Sequence, residues 1–281
     1  PMPTALMSSK PGAGINHKEY GVTSEGVIVF LDSALRAVGI NPETDKFTVK
    51  ITGGPDGDVA GNAIRILNRD YGTKAKIVGI ADGSGCGEDP DGLDHMELLR
   101  LFEEALPISS FDDSKLGPNG SVTSIDDPDG FHLRNTMHDR IVCDAFIPAG
   151  GRPATIHGGN WKNFITEEGI PSAKVIVEGA NMPVQPQAIS RIVEKNIIFA
   201  PGKAANAGGV AVSGLEMVEE AINAFVSENR LDVNSERVGD HIKHSSHPFT
   251  IHQGDFFEFP EGTVLADAWY DRAAMIAVPI E

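Results

Sequence analysis

The stretch FTVKITGGPDGDVAGNAIRIL, residues 47–67, sets an alternating apolar run against a helical pattern across a series of glycines and aspartates. Phe47, Val49 and Ile51 alternate with polar neighbours as a strand does, and Val59, Ile64, Ile66 and Leu67 give an apolar side to a following helix. A strand that feeds a helix through glycines can hold a dinucleotide's pyrophosphate. The glycines let the backbone come close, and the helix N-terminus offers free N–H groups and the positive end of its dipole. Gly54, Gly57 and Ala60 give the pattern G-x-x-G-x-x-A, one residue longer at its first gap than the usual fingerprint. The alternative is a glycine-rich turn that binds nothing.

Composition narrows the setting. The 281 residues are 41% hydrophobic, a globular value, and no run approaches the roughly 18 apolar residues of a membrane span. PMPTALMSSKPGAGINHKEY lacks a basic start followed by an apolar block, so no secretory signal is expected. A net charge of −17 argues against a nucleic-acid partner, whose phosphates draw on clustered Lys and Arg. Cys86 and Cys143 lie far apart and suggest neither a disulfide framework nor a cysteine-based zinc site. The expectation is a soluble chain in a reducing compartment, the cytoplasm or the mitochondrial matrix.

Further alternations follow. Residues 21–39 read as a helix with Thr23 or Ser24 as N-cap and Gly39 as its stop. AKIVGIAD (75–82) reads as a second strand and LDHMELLRLFEEAL as a helix, while the stretch from about 107 to 138 reads as mostly loop. RIVCDAFIPAG, KVIVEGAN and NIIFAPG supply three more strands, with QPQAISRIVEK as a helix between the last two. Nearly continuous apolar strands are covered on both faces, which predicts an α/β fold: a doubly wound, mostly parallel Rossmann-like sheet with helices on both faces. The expected organisation is a lead-in over 1–20, this domain over 21–228, and a C-terminal segment, 229–281, of unassigned packing.

Ligands of such sheets sit beyond the C-terminal strand ends. Asp82 closes the second strand, about where an acidic side chain meets the adenosine ribose hydroxyls; the alternative is a turn or N-cap aspartate in DGSGCGEDPDG. Its charge would repel a 2′-phosphate and favours NAD over NADP. Ala149 and Gly150 at the end of the third strand, and the small residues ending the fourth and fifth, leave an open crevice.

KPGAGINHKEYGVTSEGV, TGGPDGDVAGN, DPDGLD, DAFIPAGGRP, VEGANMP and ANAGGVAVSGLEM, in that order, resemble the cofactor-binding half of glutamate dehydrogenases. The first four look most like the large NAD-specific subclass, and the last, with the APGKA before it, more like the small-chain enzymes. The resemblance runs from about residue 10 to about 222. It implies oxidoreductase activity with NAD on glutamate, 2-oxoglutarate and ammonia, in a homo-oligomer or as part of a larger chain. Gly54 to Gly61, with Gly57, Asp58 and Val59 among them, would wrap the pyrophosphate. Asn181 and Asn206 would lie along the nicotinamide ribose and carboxamide, and Thr23 would face the nicotinamide end. Val210 and Ser213 would shape the pocket for the substrate's distal carboxylate. As alternatives, Asn206 is the N-cap, and Ser213 a polar residue, of a helix over 209–226. The family's catalytic lysine and acid belong to an N-terminal substrate domain; Lys18 and Lys203 lie near these motifs, and neither stands in the catalytic pattern. The chain therefore reads as a fragment or one piece of a larger assembly. A noncatalytic nucleotide-binding or structural module is the competing reading.

His241, His244, His247, His252 and Asp255 form a short metal-capable window, for which a polar surface segment is the plainer reading.

Overall fold

The computed structural model describes residues 16–150 and 154–215. Residues His17–Gly209 form one compact unit. In chain order its elements are α1 (His17–Tyr20), α2 (Val22–Ala37), β1 (Phe47–Thr52), α3 (Asp58–Tyr71), β2 (Ala75–Ala81), β3 (Gly85–Glu88), α4 (His95–Glu103), β4 (Ser121–Ser124), α5 (Gly130–Arg140), β5 (Cys143–Pro148), β6 (Ala173–Val177), α6 (Pro186–Val193), β7 (Ile198–Ala200) and α7 (Gly202–Ala205). Residues 207–215 are helical as well, those from 210 onward falling outside the unit. The His241–Asp255 window and the segment 229–281 lie outside the described residues.

Among the described residues a seven-stranded sheet has the order β4-β3-β2-β1-β5-β6-β7. From β2 to β7 neighbours run parallel, whereas β3 pairs antiparallel with both β2 and β4. The chain moves outward from β1 to β2 and then returns to place β5 on β1's other side, so the topological switch point lies between β1 and β5. Thr52 pairs with Pro148, so both strands end level there. Alternate residues serve opposite faces. Val49, Ile51, Ala145, Ile147, Val175 and Val177 join α2, α3 and α4 in the larger core, while Phe146 and Ile176 join Phe164, Ala188 and Ile192 in the second.

Three expectations are corrected. The helix over 21–39 does not start from a Thr23 or Ser24 cap. Gly21 caps α2 in the left-handed region (φ 67°), where a Cβ would meet Asn62 Oδ1 and Arg65 NH2 at 2.8 Å. Ser24 is buried instead, and its hydroxyl donates to Val59 O at 2.8 Å, tying α2 to the first turn of α3. Second, the stretch 107–138 contains β4 and most of α5, which starts after Asp129 in the left-handed conformation (φ 65°). Third, the run DGSGCGEDPDG, given no strand in the sequence reading, holds the antiparallel strand β3, where a Cβ on Gly85 would run into Thr123 O of β4 and one on Gly87 would press on Ile108 at 3.0 Å.

Lys50 departs from the simple alternation. It reads as one of the polar neighbours in the first strand, yet it is 0% exposed. Its ammonium donates to Ile141 O (2.6 Å), Ser172 O (2.9 Å) and Ser172 Oγ (2.8 Å) and stands 4.8 Å from the Phe164 ring centre. Burial pulls its pKa down to about 8.

Candidate functional site

Beyond the ends of β1, β2 and β5 lies a cleft of about 400 Å³. It is walled by the β1–α3 loop and first turn of α3 (Gly53, Gly54, Asp56, Gly57, Asp58, Val59), by Asp82 and Gly83 after β2, by Ala149 and Gly150 after β5, and by Arg134, Asn135 and His138 of α5. The volume is that of a small-molecule or cofactor site. Its position is the crevice at the switch point.

Packing explains most of the glycines in the loop. Gly53 has φ 114°, and a Cβ there would come within 2.8 Å of Gly150 N and 2.9 Å of Ala60 Cβ, so this glycine lets β1, β5 and α3 converge. A Cβ on Gly54 would stand 2.5 Å from Asp82 Oδ2, and one on Gly61 would run into Pro55 O and the Phe102 ring. Gly57 is different. It is the N-cap of α3 with φ −74° and ψ 150°, a conformation open to any residue, and the nearest atom to its Cβ position is Gly54 O at 3.1 Å. A side chain there requires only that Gly54 O give by a few tenths of an ångström, and Gly57 lines the cleft. The N–H groups of the first turn of α3 have no partner within the helix and are available to an anion in that space.

Asp82 is buried behind this loop. Oδ1 accepts from Ser84 N and Ser84 Oγ, both at 2.7 Å, and Oδ2 accepts from Ile108 N at 2.8 Å. Asp82 thus fulfils the turn role read as its alternative while lining the cleft. The carboxylate keeps acceptor capacity, since two oxygens offer about four lone pairs against these three donors.

Asn181 and Asn206 lie at the next strand ends. Glu178 closes β6; its Oε2 accepts from Gly202 N (2.7 Å) and its Oε1 from Val184 N (3.2 Å), and burial raises its pKa. Asn206 Nδ2 donates to Gly179 O (3.2 Å) and Ala180 O (3.1 Å) and lies 3.4 Å from Asn181 Oδ1. Asn206 therefore braces the turn after β6, and Asn181 is exposed beside it. A Cβ on Gly179 would meet Val59 Cγ1 (2.9 Å) and Ala149 Cβ (3.1 Å), so this turn abuts the wall of the cleft. Thr23 belongs to the same neighbourhood: a Cβ on Gly209 would stand 2.5 Å from its Oγ1. Val210 and Ser213 lie on the helical residues 207–215, Val210 strongly exposed and Ser213 half-buried. Lys18, from α1, donates to Asp56 O at 2.9 Å on the rim of the glycine loop.

Sequence reasoning did not find the α5 residues. Arg134 Nε donates to Asp82 O, and its NH1 to Asn135 Oδ1 at 2.9 Å. His138 is buried and stacks on Phe146; burial and then the charge of Lys50 push its pKa down to about 4, so it is neutral near pH 7. The i, i+4 spacing of Arg134 and His138 on a helix was the available signal.

The sequence matches the Glutamate/Leucine/Phenylalanine/Valine dehydrogenase family over residues 13–248. It is 37% identical over 216 residues to the Schizosaccharomyces pombe protein named "Probable NAD-specific glutamate dehydrogenase", covering 73% of this chain and 19% of that one. It is also 37% identical over 245 residues to the NAD-specific glutamate dehydrogenase of Saccharomyces cerevisiae, covering 80% of this chain and 22% of that one. Among solved structures, glutamate dehydrogenase 2 of Plasmodium falciparum superposes with a TM-score of 0.54 at 27% identity, over 75% of this chain and 41% of that one. The chain spans about a fifth of the length of these yeast relatives. A doubly wound sheet, a glycine loop at its switch point and a match over most of the sequence lead to one conclusion: the chain belongs to the glutamate/leucine/phenylalanine/valine dehydrogenase family, a family of oxidoreductases.

Proposed function

We propose that this chain supplies the NAD-binding domain of a glutamate dehydrogenase and that the groups of the substrate domain come from sequence outside it. The observation that carries the reading is Gly57: a glycine at a helix N-cap whose conformation is open to any residue and whose Cβ position has one close neighbour, Gly54 O at 3.1 Å, on the lining of a cleft where a pyrophosphate needs close backbone approach. NAD, when bound, accepts the hydride released as glutamate becomes 2-oxoglutarate and ammonia. The residues of this chain bind and orient it. The first turn of α3 takes the pyrophosphate and Asp82 the adenosine ribose, with its charge opposing a 2′-phosphate. Asn206, whose Oδ1 accepts from none of the described residues, and Asn181 serve the nicotinamide ribose and carboxamide. Thr23 lies at the nicotinamide end, with Val210 and Ser213 toward the substrate's distal carboxylate. The reading is also supported by relatives named as NAD-specific. In the whole enzyme this domain belongs to a longer chain or a homo-oligomer, in the cytoplasm or the mitochondrial matrix.

The test has two arms. Residues 1–281 titrated with NADH in a calorimeter bind it, and more tightly than NADPH. The same chain forms no NADH from NAD and glutamate until it is joined to its natural upstream sequence. Turnover by residues 1–281 alone, or failure to bind either nucleotide, refutes the reading.

A further inference from the structure

The lining of the cleft includes three carboxylates, Asp56, Asp58 and Asp82, and among the described residues a single permanent cation, Arg134. The guanidinium is held from behind. Nε is spent on the carbonyl of Asp82 and NH1 on Asn135, while NH2 makes no hydrogen bond with any described residue. A guanidinium anchored through Nε and NH1 has little freedom to turn, which leaves its NH2 group, with the positive charge, for a phosphate oxygen. Asp82 is the reverse case, its oxygens drawn back toward Ser84 and Ile108. The bond from Arg134 to the Asp82 carbonyl places the cation at the end of β2, beside the position where a ribose is read.

We propose that Arg134 is a second nucleotide-selecting residue of this cleft, a preset grip for a ribose 2′-phosphate whose effect the charge of Asp82 overrides. The inference rests on the dinucleotide reading above and extends it to the adenosine end. A merely structural role for Arg134, tying α5 to the end of β2, affects both nucleotides alike; a selecting role affects one.

Calorimetric titration of the 281-residue chain with NADH and with NADPH separates the two. Arg134→Gln lowers NADPH affinity several-fold and leaves NADH within about threefold of wild type. Asp82→Ser raises NADPH affinity at least tenfold, and adding Arg134→Gln removes that gain while leaving NADH affinity where Asp82→Ser alone puts it. Because Asp82 also holds its own turn, Arg134→Gln in the otherwise native chain carries the test if Asp82→Ser folds poorly, with circular dichroism checking each variant. Equal losses for the two nucleotides in Arg134→Gln, or no loss for either, overturn this proposal alone. A wild-type chain that binds neither nucleotide overturns it together with the dinucleotide reading.

Discussion

Two glycines of the same loop and helix should respond to substitution in opposite ways. Gly57→Val places its side chain where the fold has room. The backbone at φ −74° and ψ 150° suits a β-branched residue, and Gly54 O at 3.1 Å has to give by a few tenths of an ångström. Valine is a poorer N-cap than glycine by about 1 kcal/mol. The loss of unfolded-state freedom offsets about 0.4–1 kcal/mol of that. Stability therefore stays within about 1 kcal/mol of wild type. Binding weakens, because the methyls occupy the approach to the α3 N–H groups. Losing one or two charge-assisted bonds at about 1.5–3 kcal/mol each lowers NADH affinity by about tenfold to 10⁴-fold. At Gly61, by contrast, even a methyl meets the Pro55 carbonyl and the Phe102 ring, the latter at 2.6 Å. Overpacking costs about 1–3 kcal/mol and the better helix propensity of alanine returns at most about 1. Gly61→Ala is thus the destabilised variant. Urea denaturation and calorimetric NADH titration on both proteins measure the two effects. A Gly57→Val chain of native stability with undiminished NADH affinity would refute the idea that the loop holds a pyrophosphate, and a Gly61→Ala chain as stable as wild type would refute the packing argument.

Glu178→Ala leaves the buried N–H groups of Gly202 and Val184 without their acceptor, and at about 1–3 kcal/mol for each orphaned donor thermal unfolding should register a loss of about 2–6 kcal/mol. Asp82→Ser orphans the buried N–H of Ile108 and releases the Ser84 turn, so the same assay should show a loss of about 2–4 kcal/mol even without nucleotide. Lys50 has its folded pKa lowered from 10.5 to about 8. Between those values the unfolded chain binds the proton and the folded chain does not, so stability rises with pH across that window. At 1.36 kcal/mol per pKa unit, wild type should gain about 3 kcal/mol relative to Lys50→Met from pH 8 to 10.5. Parallel denaturation curves for the two proteins over that range would contradict it.

The strand–loop–helix of residues 47–67 is legible in the sequence because period two gives way to a helical period across glycines, and each pattern is strong. The five parallel strands are legible for the same reason, being apolar runs of ordinary length. α5 is not, since FHLRNTMHDR buries only Met137 and His138 and follows a run of Asp, Pro and Gly that reads as turn. Losing α5 hid Arg134, Asn135 and His138, site residues that no motif announces. The α2 cap was misread because Ser24 has the chemistry of a cap, yet tertiary packing employs its hydroxyl on Val59. Lys50 shows the limit of binary patterning: a charged letter in a strand implies water, unless carbonyls and a hydroxyl converge on it from elements far along the chain.

The two cysteines turn the sheet into its own gauge of local opening. Cys86 sits on β3, toward the antiparallel edge, and Cys143 begins β5 between β1 and β6; burial raises both thiols, to about 12 and about 11, so neither reacts while its strand is in place. A thiol reagent therefore times excursions of the native state rather than surface chemistry. The edge cysteine should be modified first and the central one only when the parallel core parts. The ratio of those two rates would measure how independently the β3–β4 flap breathes from the scaffold that carries the glycine loop.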